Sequence, residues 1–251
     1  MRVAAPDLEA IFDLVPDVVF FLKDREGRYV AVNRALVLRC GRREKHELVG
    51  LTPGDVFPAA LAQSYAAQDR QVVETGQPIL EQLELHLFPN RSPGWCITRK
   101  LPLRDGRRIV GLVGISRDLG RPNERDPVYP RLQRAVDHLH AHVAAGVSVA
   151  ALARLADLSV SQLERQFQRV FQLAPRRLLV KLRVEQATRL LEQERNIAAV
   201  AQACGYADHS AFTRQFRAVV GVTPRAYRQL LRQGFQTEKD PPGRRPASPR
   251  R

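Results

Sequence analysis

Two helix pairs with the same apolar spacing repeat in the second half of the chain. Residues 149–153 (VAALA) are similar to residues 197–201 (IAAVA), and a tight turn follows each segment. In the helix after each turn, apolar residues lie at i, i+4, i+7 and i+8, which is one buried stripe on an α-helix. A short helix, a tight turn and a second helix with a polar outer face form a helix-turn-helix, so the repeat predicts two such units. The stripes comprise Leu163, Phe167, Val170 and Phe171 in the first unit and Phe212, Phe216, Val219 and Val220 in the second.

The rest of this half is also expected to be helical. Ser159 with Gln162 has the spacing of a capping box, Asp208 is a good N-cap, and Thr223 can cap the last helix. A helix over 175–193 would be about 28 Å long at 1.5 Å per residue. Successive major grooves on one face of DNA lie about 34 Å apart, so this helix could hold the two units near that spacing. The expected helices are 130–143, 148–156, 159–171, 175–193, 197–204, 208–220 and 224–232.

The positive charge of the chain is concentrated in the same half. The formal net charge is +14. Residues 1–120 contain 17 Lys and Arg against 15 Asp and Glu, whereas residues 121–251 contain 23 against 11. A basic half joined to a nearly neutral half is typical of a polyanion-binding module attached to another domain. Charge alone is equally compatible with a role in solubility or with attraction to an anionic membrane surface.

The first half mixes strands and helices. Strands are expected at 17–23 and 28–33, around a turn at 24–27, and a helix at 33–40 follows them. The segment 50–58 (GLTPGDVFP) is expected to be irregular, and residues 58–75 form a helix closed by Gly76. Three strands at 79–88, 95–103 and 107–118 complete the half, with a hairpin turn at Asp105-Gly106. Residues 120–130 contain three prolines and predict a linker, and the tail from about Thr237 lacks apolar residues and is expected to be disordered.

The C-terminal sequence resembles the AraC family of bacterial regulators. The resemblance rests on residues 205–228 (GYADHSAFTRQFRAVVGVTPRAYR), supported by 159–171 (SVSQLERQFQRVF) and 182–191 (LRVEQATRLL). It implies an all-α domain of about seven helices over 130–233, in which helices 159–171 and 208–220 bind successive major grooves of double-stranded DNA. A basic tail over 234–251 would follow. The residues that it implies for DNA binding are Ser161, Glu164, Arg165, His209, Ser210, Thr213, Arg214 and Arg217.

These side chains suit base and phosphate contacts. Arginine can pair with guanine through two hydrogen bonds, glutamate can accept from cytosine, and serine or threonine can serve several bases. We expect Arg165 and Arg214 to contact bases, and Arg217 is the better candidate for a phosphate. Because at least half of such hydrogen bonds go to phosphates, each of the other positions is open to a phosphate contact or a solvated face.

The N-terminal sequence resembles a PAS sensor domain. The resemblance rests on the order of elements, on residues 11–33 (IFDLVPDVVFFLKDREGRYVAVN) and on the late strand at 108–119 (RIVGLVGISRDL). It implies an α+β domain over 7–119, with a five-stranded antiparallel sheet and flanking helices, joined by the linker 120–129 to the DNA-binding domain. Such domains often enclose a small-molecule signal or form a homodimer, here through an N-terminal helix at 7–15.

The sequence leaves the cofactor open. PAS domains that bind flavin covalently keep a cysteine in the stretch that corresponds to 50–58, and those that bind haem usually supply a histidine from the helix that corresponds to 58–75. This sequence has no cysteine in the first segment and no histidine in the second, so the resemblance disfavours both cofactors. An unidentified small molecule, a protein contact or dimerisation without a ligand all remain. Trp95 could line a pocket, although a packing role is at least as well supported.

Catalytic and metal sites find little support. The chain contains no phosphate loop, no Gly-x-Ser-x-Gly and no HExxH motif, so we expect no enzyme activity. His138 and His142 share a helix face, but two ligands do not complete a zinc site. Cys40, Cys96 and Cys204 are too few and too widely spaced for a disulfide framework.

The sequence therefore predicts a sequence-specific transcriptional regulator. No apolar run is long enough to span a membrane and no export pattern is present, so a cytoplasmic protein is expected. RNA polymerase is a further expected partner. The alternative is a PAS interaction module whose basic half binds nucleic acid or protein partners without sequence specificity.

Overall fold

The computed structural model of the protein describes residues 5–15, 17–87, 93–120, 124–194 and 196–233. The expected tail at 234–251 and part of the expected linker, residues 121–123, lie outside these ranges. The elements of the N-terminal half are α1 (Ala5–Asp13), β1 (Val18–Asp24), β2 (Tyr29–Val32), α2 (Arg34–Arg39), α3 (Pro53–Val56), α4 (Ala59–Thr75), β3 (Ile79–Leu87), β4 (Pro93–Asp105) and β5 (Arg108–Asp118).

The five strands form one antiparallel sheet in the order β2-β1-β5-β4-β3, which confirms the expected fold of this half. Because successive side chains of a strand point to opposite faces, β1 contributes to two apolar layers. Val19 and Phe21 pack with residues of α2 and α4 on the inner face. Phe20 lies on the outer face, where the ring of Phe12 in α1 stacks on it at 4.4 Å. Among the described residues, no helix has the length and apolarity needed to cross a bilayer.

The sequence of segment 50–58, with its Gly and Pro residues, predicted an irregular structure. The structure differs, because the segment contains the helical turn α3. Thr52 caps this turn. Its backbone N–H donates to Asp55 Oδ2 at 2.8 Å, and its side chain accepts from the Asp55 backbone in return. Pro53 occupies the first helical position, where its missing N–H has no cost. The Thr-Pro-Gly-Asp sequence is thus a capping box as well as a chain-breaking sequence.

The C-terminal half consists of seven helices in its described part, as expected. Ser159 caps α7 together with Gln162, and Asp208 caps α10 by accepting the Ala211 N–H at 2.7 Å. The two turns also correspond, because Asp157 in the first and Gly205 in the second both have positive φ, of 52° and 75°. The helices are α5 (Tyr129–Ala141), α6 (Val149–Leu155), α7 (Val160–Phe171), α8 (Pro175–Gln193), α9 (Ile197–Ala203), α10 (His209–Val220) and α11 (Pro224–Gln233).

The apolar stripes predicted from the repeat lie in the core. In α7, Leu163 and Phe167 are fully buried, and in α10, Phe212 and Phe216 are fully buried. Phe171 is partly buried against the same cluster. Full burial of one such aromatic ring contributes about 1.5–3 kcal/mol. The stripes therefore fix which face of each helix is turned outward.

The two halves share one continuous apolar cluster. Leu83, Leu85 and Trp95 of the sheet join the core of the C-terminal helices. A bulge precedes Gln82 in β3, where Glu81 has a positive φ of 55°. The Gln82 Nε2 donates to the backbone oxygen of Ala218 in α10 at 2.6 Å. The N-terminal half thus packs against the C-terminal end of α10.

Candidate nucleic-acid interface and internal cavity

We call α7 and α10 the reading helices, because each is the second helix of its unit. Their buried stripes leave a polar face exposed, and the N-terminal part of each face lies away from the sheet. Seven of the eight residues implied for DNA binding are exposed, namely Ser161, Glu164, Arg165, His209, Ser210, Arg214 and Arg217. The reading helices therefore offer polar side chains at the ends from which base contacts are made.

Thr213 differs from the other seven residues. It is half-buried, and its Oγ1 is shielded from solvent with no hydrogen-bond partner among the described residues. In this conformation the hydroxyl faces the protein, so a contact with DNA would require a rotation about χ1. Sequence position alone could not distinguish Thr213 from its neighbour Arg214.

Three exposed arginines of the reading helices are not paired with carboxylates in the part of the protein that the structure describes and are therefore available to bind a polyanion. Arg165, Arg214 and Arg217 form no ion pair with any residue in the described ranges. By contrast, Arg169 at the other end of α7 pairs with Asp126 at 2.9 Å, just before α5. Unpaired guanidinium groups can form two parallel hydrogen bonds to guanine or to phosphate.

One helix joins the two units. α8 runs from Pro175 to Gln193, as expected, and its 19 residues give it a length of about 28 Å. Leu182, Val184, Ala187 and Leu191 bury its inner face in the shared core. Because it is packed along its length, α8 is a rigid spacer between the units.

A cavity of about 210 Å³ lies in the N-terminal half, between the inner face of the sheet and α2, α3 and α4. Apolar side chains form much of its wall, including Val19, Phe21, Leu36, Phe57 and Leu61. This volume is below the ~300–1,000 Å³ of clefts that take drug-sized ligands. The cavity therefore has room only for a molecule smaller than a drug-sized ligand.

Three buried charges lie at one end of the cavity. The Lys23 Nζ is 2.6 Å from Asp69 Oδ2, and the Lys100 Nζ is 2.7 Å from Asp69 Oδ1. Burial lowers the pKa of Lys23 to about 8. The negative charge of Asp69 opposes this shift, whereas the positive charge of Lys100 adds to it. Burial works to raise the pKa of Asp69, but the two lysines prevail and hold it below its usual value. We call these three residues the lysine pair and its carboxylate.

His86 and Cys96 also line the cavity, and together with Asp118 they form a cluster whose ligand atoms lie within 4.8 Å of one another. Sequence spacing did not indicate this cluster, because the three residues come from three strands. Burial, with the Arg39 guanidinium, lowers the pKa of His86 to about 3, and burial raises the pKa of Cys96 to about 12. Asp118 accepts a hydrogen bond from Arg39. A metal ion would have to displace that guanidinium, so the residues fit a metal poorly.

Other side chains singled out from the sequence have structural contacts. The His138 and His142 rings stack at 4.1 Å. Trp95 does not line the cavity but packs at the boundary between the halves, with the Lys181 Nζ 5.4 Å from its ring. All three cysteines are free thiols, and Cys96 and Cys204 are buried.

Sequence reasoning missed the lysine pair and its carboxylate. The signal available was alternation, because Lys23 follows Val19 and Phe21 at intervals of two and must share their inner face. Lysine at the end of a strand is usually solvated, so the position did not stand out.

Comparisons with known proteins agree with both halves. Residues 152–230 match the family model described as a helix-turn-helix domain, and residues 12–124 match the model described as a PAS fold. The chain is 35% identical over 104 residues to the MmsAB operon regulatory protein of Pseudomonas aeruginosa, covering 39% of this chain and 34% of that protein. It is 35% identical over 101 residues to the transcriptional regulator GbdR of the same species, covering 40% of this chain and 28% of that protein. The chain thus matches about a third of the length of these curated relatives.

Similarity to solved structures covers the same regions. The DNA-binding domain of AdpA, solved with a target DNA, is 34% identical, with a TM-score of 0.37, and the match covers 43% of this chain and 95% of that chain. The VqmA dimer of Vibrio cholerae is 21% identical, with a TM-score of 0.40, and the match covers 71% of this chain and 86% of that chain.

Proposed function

We propose that this chain, which carries an AraC-type helix-turn-helix domain behind a PAS domain, is a sequence-specific DNA-binding transcriptional regulator. In this proposal α7 and α10 bind two successive major grooves of one asymmetric site. The observation that carries the proposal is the pair of exposed helix faces, with unpaired arginines, at the two ends of the rigid helix α8. Relatives named as transcriptional regulators support it.

The direct test is selection of bound sequences from a random double-stranded DNA library with the full-length chain. A bipartite site with half-sites about 10 base pairs apart is expected, because that is one turn of DNA. Titration of the selected DNA at several salt concentrations then estimates the number of phosphates neutralised. Enrichment of no sequence would contradict the proposal.

Arg214→Ala separates base recognition from general attraction. We expect it to weaken binding to the selected site by about 1–3 kcal/mol and binding to random DNA much less. Arg107→Ala is the matched control, since Arg107 is exposed in the hairpin between β4 and β5 and forms no ion pair in the described ranges. Equal losses on both DNAs for Arg214→Ala would instead favour a nucleic-acid-binding module without sequence preference.

The PAS domain is proposed to control DNA binding through its contact with the reading helices. Besides the bond from Gln82 to Ala218, a groove between the halves places Ile97 and Leu119 beside Gln172 at the C-terminal end of α7. The sheet thus supports both reading helices at the ends that do not contact bases. A small molecule in the cavity could act on both through that support.

Gln82→Ala tests this contact. Loss of one hydrogen bond should lower affinity for the bipartite site about 2- to 10-fold. A single half-site should bind as before, because only the relative position of α7 and α10 is disturbed. Gln63→Ala is the control, since Gln63 is exposed on α4. Unchanged affinity of Gln82→Ala for the bipartite site would show that the contact plays no part.

A homodimer is proposed through α1. Ile11 in α1 and Leu14 directly after it are 60% and 83% exposed, although Phe12 between them is packed on the sheet. Exposed apolar groups of this kind favour association. Sedimentation showing only monomer at micromolar concentration would refute the dimer.

RNA polymerase is proposed as a further partner, to be tested by transcription in vitro from a promoter that carries the selected site.

A further inference from the structure

The charges around the cavity do not balance at the lysine pair. The side chains of Lys23, Lys100 and Asp69 are only 2%, 4% and 4% exposed, so water compensates little of their charge. Two ammonium groups share one carboxylate, so one of the two positive charges has no ion-pair partner of its own among the described residues. A buried charge without a partner is costly to keep. Glu84 also lines the cavity, but it is bonded to Thr98 and Gln68 and forms no ion pair with either lysine.

The lysine pair also has more hydrogen-bond donors than acceptors. Each ammonium carries three N–H groups and donates one to Asp69, and no other described residue accepts from them. The rings of Phe21 and Tyr29 lie near the Lys23 Nζ, at 5.2 and 4.4 Å, and offset part of its charge. Aromatic faces cannot replace an oxygen acceptor at a hydrogen-bonding distance.

Tyr29 adds a further donor at the same end. Its side chain is 4% exposed and lines the cavity, so its hydroxyl can donate a hydrogen bond to a ligand there. Two ammonium groups and a phenol thus contribute N–H and O–H donors to the lining of one cavity. A carboxylate, which only accepts hydrogen bonds, is the complementary group.

The remainder of the cavity defines the body and the charge of the ligand. Away from the lysine pair the cavity is lined by apolar side chains, among them Leu36 of α2 and Phe57. Arg42 is half-buried and also lines the cavity, so its guanidinium adds to the attraction of the cavity for an anion. One excess positive charge matches a monoanion better than a doubly charged phosphate.

We propose that the cavity binds a small organic monocarboxylate with an apolar body, and that its carboxylate lies between the ammonium groups of Lys23 and Lys100. Carboxylate binding itself does not depend on DNA. Only its effect on DNA binding rests on the proposed sensory role of the PAS domain. The carboxylate of the ligand would neutralise the unpaired positive charge. Its oxygens would accept hydrogen bonds from the unused N–H groups of the lysines and from the Tyr29 hydroxyl. Binding therefore stabilises the N-terminal half.

Calorimetric titration of the full-length chain tests the proposal, with benzoate, phenylacetate and the straight-chain carboxylates from acetate to octanoate as probes. Benzamide, which has the shape of benzoate without its charge, and inorganic phosphate are the comparison ligands. At least one monocarboxylate should bind saturably and raise the melting temperature. For benzoate, affinity should exceed that of benzamide by about tenfold or more, the effect of a charged hydrogen bond.

Lys100→Met assigns the binding to the lysine pair. It leaves Lys23 and Asp69 as a balanced pair, so this variant should fold and should bind the best monocarboxylate about tenfold or more weakly. Arg107→Met removes a positive charge outside the cavity and should bind as the unchanged protein does. Retained binding in Lys100→Met, equal binding of benzamide and benzoate, preference for phosphate, or no binding by any of these carboxylates would each overturn the proposal.

Selection of DNA sequences by the same preparations keeps the two proposals separate. Sequence-specific DNA binding without carboxylate binding would refute only the ligand class. Carboxylate binding without any DNA sequence preference would refute only the regulator.

Discussion

Replacing Lys23 with methionine should stabilise the protein at neutral pH, although it removes an ion pair. The lysine pair leaves one buried positive charge, and the pKa of Lys23 is lowered by burial from 10.5 to about 8. A shift of this size corresponds to about 3 kcal/mol of unfavourable free energy when the residue is charged. Lys100 remains to pair with Asp69 in the variant. We therefore expect Lys23→Met to be more stable, by at most about 3 kcal/mol.

The pH dependence gives the sharper test. Since the folded chain holds the Lys23 proton less tightly than the unfolded chain, the cost is fully present below about pH 8 and disappears as the pH rises to 10.5. The stability difference between Lys23→Met and the unchanged protein should thus shrink by about 1 kcal/mol between about pH 7.5 and about pH 9. Asp69, Lys100 and Cys40 are the charged or titratable groups that act on Lys23.

Urea denaturation followed by the fluorescence of Trp95, the single tryptophan, measures this difference. Burial raises the pKa of both Cys40 and Cys96 to about 12, so their contribution is lost as the pH rises above 9. That loss is common to both proteins and cancels in the difference.

Lys45→Met is the control with the opposite sign. Although burial works against it, hydrogen bonds to Asp13 and Glu9 raise the pKa of Lys45 above its usual value, so its replacement should reduce stability at neutral pH. The reasoning about buried charge is refuted if Lys23→Met is less stable than the unchanged protein near neutral pH. A difference that does not vary with pH would refute it as well.

Three further substitutions test the packing of the helices and turns. Gly205→Ala should lower the melting temperature more than Gly27→Ala, for which about 1 kcal/mol is expected. Both glycines have positive φ, but a Cβ at Gly205 would lie 2.2 Å from the Ala144 backbone oxygen. A Cβ at Gly27 would have no neighbour within 4 Å among the described residues. Equal decreases in melting temperature would contradict the close approach of Gly205 to Ala144. Asp208→Ala removes the N-cap of α10 and should cost about 1 kcal/mol in thermal unfolding, with Asp208→Asn near the unchanged protein. Phe216→Ala should cost about 3–5 kcal/mol in urea denaturation because the ring is fully buried, and a loss below about 1 kcal/mol would argue against the packing of α10.

The helical half was predictable from sequence because its information is local. The stripe through Leu163 and Phe167, the cap at Asp208 and the positive φ at Gly205 each depend on residues within a few positions of one another. Helix ends accordingly agree with expectation to within one or two residues. The turn α3 was missed because Pro53 and Gly54 can break a helix as well as begin one.

The features that sequence did not predict join distant parts of the chain. Asp69 is 46 residues from Lys23 and 31 from Lys100, and Gln82 is 136 residues from Ala218. No spacing rule relates such residues, because only the completed sheet and its packing bring them together. Charged residues are in addition expected on the surface, so a buried pair of lysines runs against the average behaviour of their type.

Leu61 has a consequence for how this protein can evolve. It lines the cavity and also belongs to the apolar cluster that continues into the C-terminal helices. Val19 and Leu36 also line the cavity but pack only within the N-terminal core. Under the two proposals made above, a lineage that changes its ligand through Val19 or Leu36 can keep its operators, whereas a change at Leu61 alters recognition of the ligand and support of α10 in one step. Duplicated copies of this gene should therefore diverge first at Val19 and Leu36, with Leu61 the last of the three to vary.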